Sequence, residues 1–281
     1  MKKQFILPVL LMFFFANCEK VIDVKVPTIE PKLIIDATFE VLFDENPVTA
    51  NTVVKLRLSA DYFQDEIPTV TNATVFLTNL SDNSIINYTD VDSQGKTDGN
   101  YTPTITAFIP EDNIEYELTI IYDNETYKGK ATKVKSAIIN DVQQGDKTLF
   151  SGDEIEIKAS FTDDGTKENY YLFNFDFNNF VPIEDRFLNG SEYNFSYYLD
   201  AESIELPSTL NVTFSGITKE YFTYFTVLLN QSGQNSGGPF QSVPSSLLGN
   251  MINTTNEENF PLGYFHISET DVYPIDLVET N

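Results

Sequence analysis

The chain has 281 residues, with 42 acidic and 17 basic side chains, one histidine, one cysteine and a formal net charge of −25. A surface this acidic repels phosphate backbones and anionic headgroups, which excludes nucleic acid as a partner. The aromatic content is 14%, all Phe and Tyr, too much apolar mass for a disordered chain; the length suits one large or two ordinary domains.

The first element is a leader. Lys2 and Lys3 precede an apolar run from Phe5 to Ala16 that is broken only by Pro8. A basic stretch followed by so short an apolar run is a signal peptide, not a spanning helix. Cys18 stands directly behind it and points to a bacterial lipoprotein signal, with diacylglycerol added to the thiol and the chain cut before Cys18. Phe15-Ala16-Asn17 departs from the usual signal: Phe stands for Leu, and Asn for a small residue. The bland alternative is an ordinary secretory signal with an incidental cysteine. No other cysteine competes for Cys18 as a disulfide partner. Acyl chains at about 0.8 kcal/mol per buried CH₂ would hold the protein at a membrane. Cleavage after residue 17 removes two lysines and takes the net charge from −25 to −27.

Residues 18–31 read as a tether, with Pro27 and Pro31 interrupting any regular element. From Lys32 the apolar period becomes two. Strands are expected at 33–39, 53–58, 73–77, 101–108, 116–120 and 126–134, each bounded by Asn, Asp, Gly or Pro. Tyr122-Asp123-Asn124-Glu125-Thr126 reads as a tight hairpin, because Asp and Asn tolerate positive φ. Together these predict an immunoglobulin-like β-sandwich over 32–137, without the Cys…Trp…Cys hallmark. A polar, turn-rich seam follows near 136–147.

The second half, 138–281, is expected to be a separate β-rich domain. Asp153 to Phe161 alternates as a strand. Asn169 to Phe177 does so too, with Tyr171, Phe173, Phe175 and Phe177 on one face. In Thr218 to Asn230 the apolar positions 221, 224, 225, 228 and 229 follow helical spacing, which predicts a helix over 218–230 with Thr218 as its cap. Short strands return at 263–268 and 272–277. Pro182 to Leu206 and Gly233 to Val243 show no clear strand pattern. The first holds Phe187, Tyr193, Phe195, Tyr197 and Tyr198, and is a candidate binding loop, since loops on β-scaffolds commonly carry recognition. The alternative is that these rings cover the core of the second domain.

Catalytic patterns are sparse. His266 lies in a strand pattern and reads as a packing residue. With one His and an acylated Cys, an N/S zinc site cannot be assembled, and no phosphate loop, dinucleotide fingerprint or Gly-x-Ser-x-Gly is present. Asp163-Asp164-Gly165-Thr166-Lys167-Glu168-Asn169 resembles a calcium-loop fragment but lacks the EF-hand spacing, so it reads as an acidic turn. Asp61, Asp65 and Glu66 form a second such loop. No catalytic residue, metal site or cofactor is expected. A hydrolase built on paired carboxylates remains an alternative.

Several stretches together resemble one family. They are Cys18-Glu19-Lys20-Val21-Ile22-Asp23-Val24, Gly99-Asn100-Tyr101, Tyr116 to Ile120, Tyr127-Lys128-Gly129-Lys130-Ala131-Thr132, Asn169-Tyr170-Tyr171, Asp185 to Gly190, the helix at 218–229, Gly238-Pro239-Phe240, Gly249-Asn250 and Leu262-Gly263-Tyr264-Phe265. Their order and spacing resemble the Bacteroidota cell-envelope lipoproteins of the domain of unknown function four-two-four-nine. The resemblance implies an outer-membrane lipoprotein encoded beside a TonB-dependent receptor, and it supplies no catalytic residues. The expectation is therefore a non-enzymatic accessory that helps such a receptor capture or take up a substrate, with membrane and receptor as partners. A surface adhesion or matrix-binding module is the alternative. The face of the outer membrane it occupies is left open.

Overall fold

The computed structural model describes residues 30–279 other than 61–63, 65, 92–93, 150–151, 153, 188, 202–203 and 233–246, and the backbone alone at Phe187. The expected leader, Cys18, nearly all of the tether, and the Gly-rich segment 233–243 lie outside the described residues. Residues 31–281 form one compact unit.

The fold is mainly β, with one α-helix among the described residues. The first half supplies β1 (Leu33–Leu42), β2 (Thr49–Asn51), β3 (Val54–Leu58), β4 (Thr74–Asn79), β5 (Ile85–Thr89), β6 (Asn100–Pro103), β7 (Glu115–Tyr122) and β8 (Glu125–Thr132). The second supplies β9 (Ile139–Gln144), β10 (Glu154–Thr162), β11 (Tyr170–Asn174), β12 (Phe180–Glu184), β13 (Glu192–Asp200), β14 (Ser208–Ile217), helix α1 (Lys219–Ser232), β15 (Ile252–Asn253) and β16 (Leu262–Leu277). Thirteen strands form one sheet, twelve of them along the path β12-β11-β14-β16-β1-β3-β6-β5-β4-β7-β8-β15 and β2 off it beside β1; β13-β10-β9 form a second sheet.

The long path folds on itself at β6. Asn100 and Tyr101 pair with β3, while Thr102 and Pro103 pair with β5. One strand thus feeds both layers of a sandwich, which closes on a core from Leu33, Ile35, Phe39, Leu56, Leu77, Leu118, Ile120 and Phe265. The β7–β8 hairpin turns on Asp123 and Asn124, both at positive φ as expected. At Gly99-Asn100-Tyr101 the buried Asp90 carboxylate accepts the N–H groups of Asp98, Gly99 and Asn100, and the Tyr101 hydroxyl donates to Val70 O. These bonds satisfy backbone at the corner where no ladder can.

The second core is aromatic. Phe173 packs on Phe214 at 4.2 Å between ring centroids, and Phe161 lies 4.6 Å from Phe214. Alternation along β11 decides the two faces: Tyr171 and Phe173 point to the small sheet, Tyr170 and Leu172 to α1. Phe177, expected to continue the inward face, is instead 53% exposed at positive φ, because β11 ends at Asn174 and Asp176-Phe177-Asn178 turn the chain into β12. The expected strand over 101–108 likewise stops at Pro103.

β16 runs through both halves. Its first part pairs parallel with β1, from Ile34–Leu262 to Leu42–Thr270, and its second pairs antiparallel with β14. Phe265 and Ile267 enter the first core; Tyr273, Ile275 and Leu277 pack on the second. The two short strands expected at 263–268 and 272–277 are therefore one. Between them Glu269 and Asp271 point into the join. The Glu269 carboxylate accepts Ser136 N–H and a Lys135 ammonium proton, and Asp271 Oδ2 accepts Ile139 N–H at 2.7 Å. Backbone bonds from Val134 N to Ile267 O and Glu269 N to Val134 O tie the crossing segment to β16. Gly216 lies against Lys135, whose carbonyl any Cβ would strike. The polar stretch expected as a seam is thus held along β16 and continues as strand β9, with Ile139 and Val142 buried.

Helix α1 covers the outer face of the large sheet, burying Tyr221, Phe225 and Leu229 at helical spacing. Thr218 caps it, its hydroxyl accepting Tyr221 N–H at 3.1 Å. The expected helix is observed, extended to Ser232. No helix among the described residues is long and apolar enough to cross a membrane.

Candidate functional site

A cleft of about 590 Å³ opens where the end of β8, the start of α1 and the start of β16 meet. β8 and the crossing segment contribute Lys130, Lys133 and Lys135. The turn before β7 contributes Asp112, the first residue of β7 is Glu115, the loop before β11 contributes Lys167, and the first turn of α1 contributes Glu220. Tyr264 and His266 line it from β16.

Most of these charges are already matched. Asp112 binds Lys133 at 2.7 Å and Lys135 at 2.8 Å, and Lys135 also reaches Glu269 at 3.4 Å. The Lys133 and Lys135 ammonium groups hold the Asp112 carboxyl down at about 2, and Asp112 raises Lys135 in return. Lys133 is nearly buried, so its contacts with Asp112 and Glu269 offset the loss of its hydration. Lys130 and Glu115 form a looser pair at 3.6 Å, both about half exposed.

His266 is 2% exposed and stacks on Tyr221, with ring centroids 4.4 Å apart. Its Nε2 shares a 2.6 Å hydrogen bond with Ser268 Oγ and lies 3.4 Å from Gly216 O. Burial pushes it down to about 4, so it is neutral at pH 7. Its polar capacity is occupied by its own strand and by β14, which is the packing role expected for it.

Two glycines adjoin the lining residues Asn250 and Tyr264. Gly249 and Gly263 approach backbone so closely that a Cβ on either would strike a carbonyl: that of Gly263 for Gly249, and that of Ile35 for Gly263, which also has positive φ. Beside them Asn250 donates to Phe265 O and accepts Phe265 N–H. The weak motifs Gly249-Asn250 and Leu262-Gly263-Tyr264-Phe265 are thus one contact seen from two sides.

The candidate aromatic loop is not a loop. Tyr193, Phe195, Tyr197 and Tyr198 lie on β13, paired along its length with β10. Tyr193, Phe195 and Tyr197 turn inward against the second core; Tyr197 stacks on Phe175 at 4.6 Å and donates to Asn179 Oδ1 at 3.0 Å. Tyr198 is on the opposite face, half-buried and in register with Glu156. Phe187 ends a 3-10 turn from Asp185, and its side chain lies outside the described residues. The structure therefore brings three of these five rings together, as core cover. The reason is alternation: 193, 195, 197 and 199 share one face, a period of two.

The acidic turn at 163–169 is a structural clamp. Asp163 accepts hydrogen bonds from Tyr171 OH, Asn169 Nδ2 and Gly190 N, and Asp185 accepts Asn169 N–H at 2.7 Å. Asn169-Tyr170-Tyr171 and Asp185 to Gly190 are thereby held together. Among the described residues no group of three His, Cys, Asp or Glu side chains could hold a metal ion. Asp61 and Asp65 of the second acidic loop lie outside the described residues.

The residues of the cleft were not singled out as a site from sequence. The available signal was Lys128, Lys130, Lys133 and Lys135: four of the chain's 17 basic residues lie within eight positions of an acidic protein.

A chicken interferon gamma receptor alpha chain structure aligns at 11% identity, covering 66% of this chain and 88% of that one; its TM-score is 0.18, so it carries no argument here. No curated protein matches the chain. The family model described as Domain of unknown function (DUF4249) matches residues 19–273. That span takes in the first core, all of the second but Ile275 and Leu277, the crossing segment and every wall of the cleft, and the chain belongs to this family.

Proposed function

We propose that the protein is a non-enzymatic lipoprotein, anchored in the outer membrane through Cys18, that assists a TonB-dependent receptor in capturing or taking up a substrate. The observation that carries the anchor is the placement of the sole cysteine directly behind a basic and then apolar leader. The resemblance of Cys18-Glu19-Lys20-Val21-Ile22-Asp23-Val24 and the later motifs to cell-envelope lipoproteins supports the envelope role. The state of His266 supports a binding rather than a catalytic protein: it is neutral, stacked and hydrogen-bonded within the fold, so a proton shuttle there would first have to break packing. The 590 Å³ cleft is of the size that solutes occupy on such scaffolds and is the capture site in this reading.

Two measurements test the proposal. Cys18→Ala leaves a soluble or unprocessed protein; if the variant still sediments with membranes after high-salt washing, the lipid anchor is wrong. Crosslinking in cells followed by mass spectrometry recovers an outer-membrane receptor with the native chain. Recovery of matrix polymers or host surface proteins in its place would favour an adhesion module.

A further inference from the structure

The cleft holds four lysines and three carboxylates, yet only two of these charges are left without an ion pair. Asp112 occupies Lys133 and Lys135, and Glu115 occupies Lys130. Among the described residues, Lys167 and Glu220 take part in no ion pair. The Asp164 carboxylate, three residues before Lys167, is taken by Thr166 through both N–H and hydroxyl and acts on Lys167 only as a more distant charge. Both side chains are exposed, but their backbones are fixed. The Lys167 carbonyl accepts Asn169 Nδ2–H at 3.1 Å, and Glu220 sits in the first turn of a helix capped by Thr218. The cleft therefore presents one cation and one anion on rigid supports, with the half-buried ring of Tyr264 in the same wall.

A simple anion would use only Lys167, because the other three lysines are already matched by carboxylates. It would also meet the uncompensated charge of Glu220. A simple cation faces the converse problem. A ligand carrying both charges satisfies both side chains through charge-assisted hydrogen bonds. A volume of about 590 Å³ exceeds a single amino acid and falls within the range of small-ligand sites.

We propose that this cleft binds a short peptide with free termini, its carboxylate on Lys167, its ammonium on Glu220 and its intervening face against Tyr264. This deepens the reading of the protein as a capture module and rests on it for the choice of cleft.

The test is calorimetric titration of the detergent-solubilised, lipidated full chain with alanine peptides of two to five residues. Each is used free, N-acetylated, or C-amidated. The expected result is saturable binding of at least one free peptide, weakened about tenfold by either block, which is about 1.4 kcal/mol. Lys167→Gln costs the same tenfold for the free peptide and nothing further for the amidated one. Glu220→Gln behaves in the same way toward the acetylated peptide. Both residues are exposed, so the variants keep their fold and their melting temperature. Equal binding of free and doubly blocked peptides overturns the proposal, as does no saturable binding of any free peptide. Acetate or phosphate binding at Lys167 that is indifferent to Glu220→Gln, with no peptide binding, marks a plain anion site and overturns it too. Membrane partition and receptor crosslinking of the same variants stay at native levels, so a failure of peptide binding is separable from a failure of the anchored-accessory reading.

Discussion

The two cores solve the same problem with different materials. The first is mainly aliphatic, with Leu, Ile and Val from neighbouring strands filling the layer, and its rings are dispersed: Phe39 meets Tyr88 and Phe265. The second is a continuous ring cluster in which Phe161, Tyr171, Phe173, Phe175, Phe214, Phe195 and Tyr197 each touch at least one other. The first is built mostly from hairpin-linked strands that are close in sequence. The second gathers strands across longer connections, where large rings fill volume with few residues. Aliphatic layers lose one methylene at a time, whereas a ring cluster loses several contacts when one member goes.

The sharpest test of that contrast is Phe173→Ala. Phe173 is fully buried and contacts Phe161, Phe175, Phe195 and Phe214, so its truncation is expected to cost about 3–5 kcal/mol in denaturant unfolding. Because β16 belongs to both cores, calorimetry is expected to show one transition shifted downward. Two separate transitions, with the first core unmoved, would break the view of β16 as a shared strand.

His266 sharpens the comparison at the join. Its value falls from 6.5 in the unfolded chain to about 4 in the folded one. Between these values the unfolded state binds the extra proton, so stability rises with pH through this window and is fully present above 6.5. Acidification from pH 7 to below 4 is expected to remove about 3 kcal/mol through this residue alone. Burial raises the Asp271 carboxyl, a change of the opposite sign that offsets part of the loss in the native chain. The readout is therefore the difference between native protein and His266→Gln: a difference in stability that does not change between pH 7 and 4 would remove the histidine from this account.

The smallest effect tests the rim of the ring cluster. Tyr197 is half-buried on Phe175, so Tyr197→Ser is expected to cost roughly 2 kcal/mol, about half of a fully buried ring. Adding Tyr193→Ser is expected to lower the melting temperature further without affecting partner crosslinking. Unchanged stability with lost crosslinking would return these rings to a binding role.

Much of the fold was legible because it rests on local signals. β1 alternates in burial along its whole length, β10 alternates polar and apolar residues in sequence, Asp123 and Asn124 tolerate the positive φ of a tight turn, and Tyr221, Phe225 and Leu229 keep helical spacing despite the β-branched and aromatic residues between them. β13 was legible too, since 193, 195, 197 and 199 alternate. The density of rings and the sequence Pro182 to Leu206 drew attention from that period. The cleft was less legible: four lysines in eight residues marked one wall, but nothing local ties them to Asp112, Lys167 or Glu220.

The sequence by itself determined the β-rich class, the helix and the packing role of His266. Each depends on residue type and short-range period, which act within a few positions of the chain. Tertiary structure alone decided that 262–277 is one strand joining two cores, that Glu269 and Asp271 catch the crossing segment, and that Lys167 and Glu220 face one cleft. These are pairings across tens to hundreds of residues, and they form because the buried backbone of β1 and β14 must find hydrogen-bond partners and β16 supplies them to both.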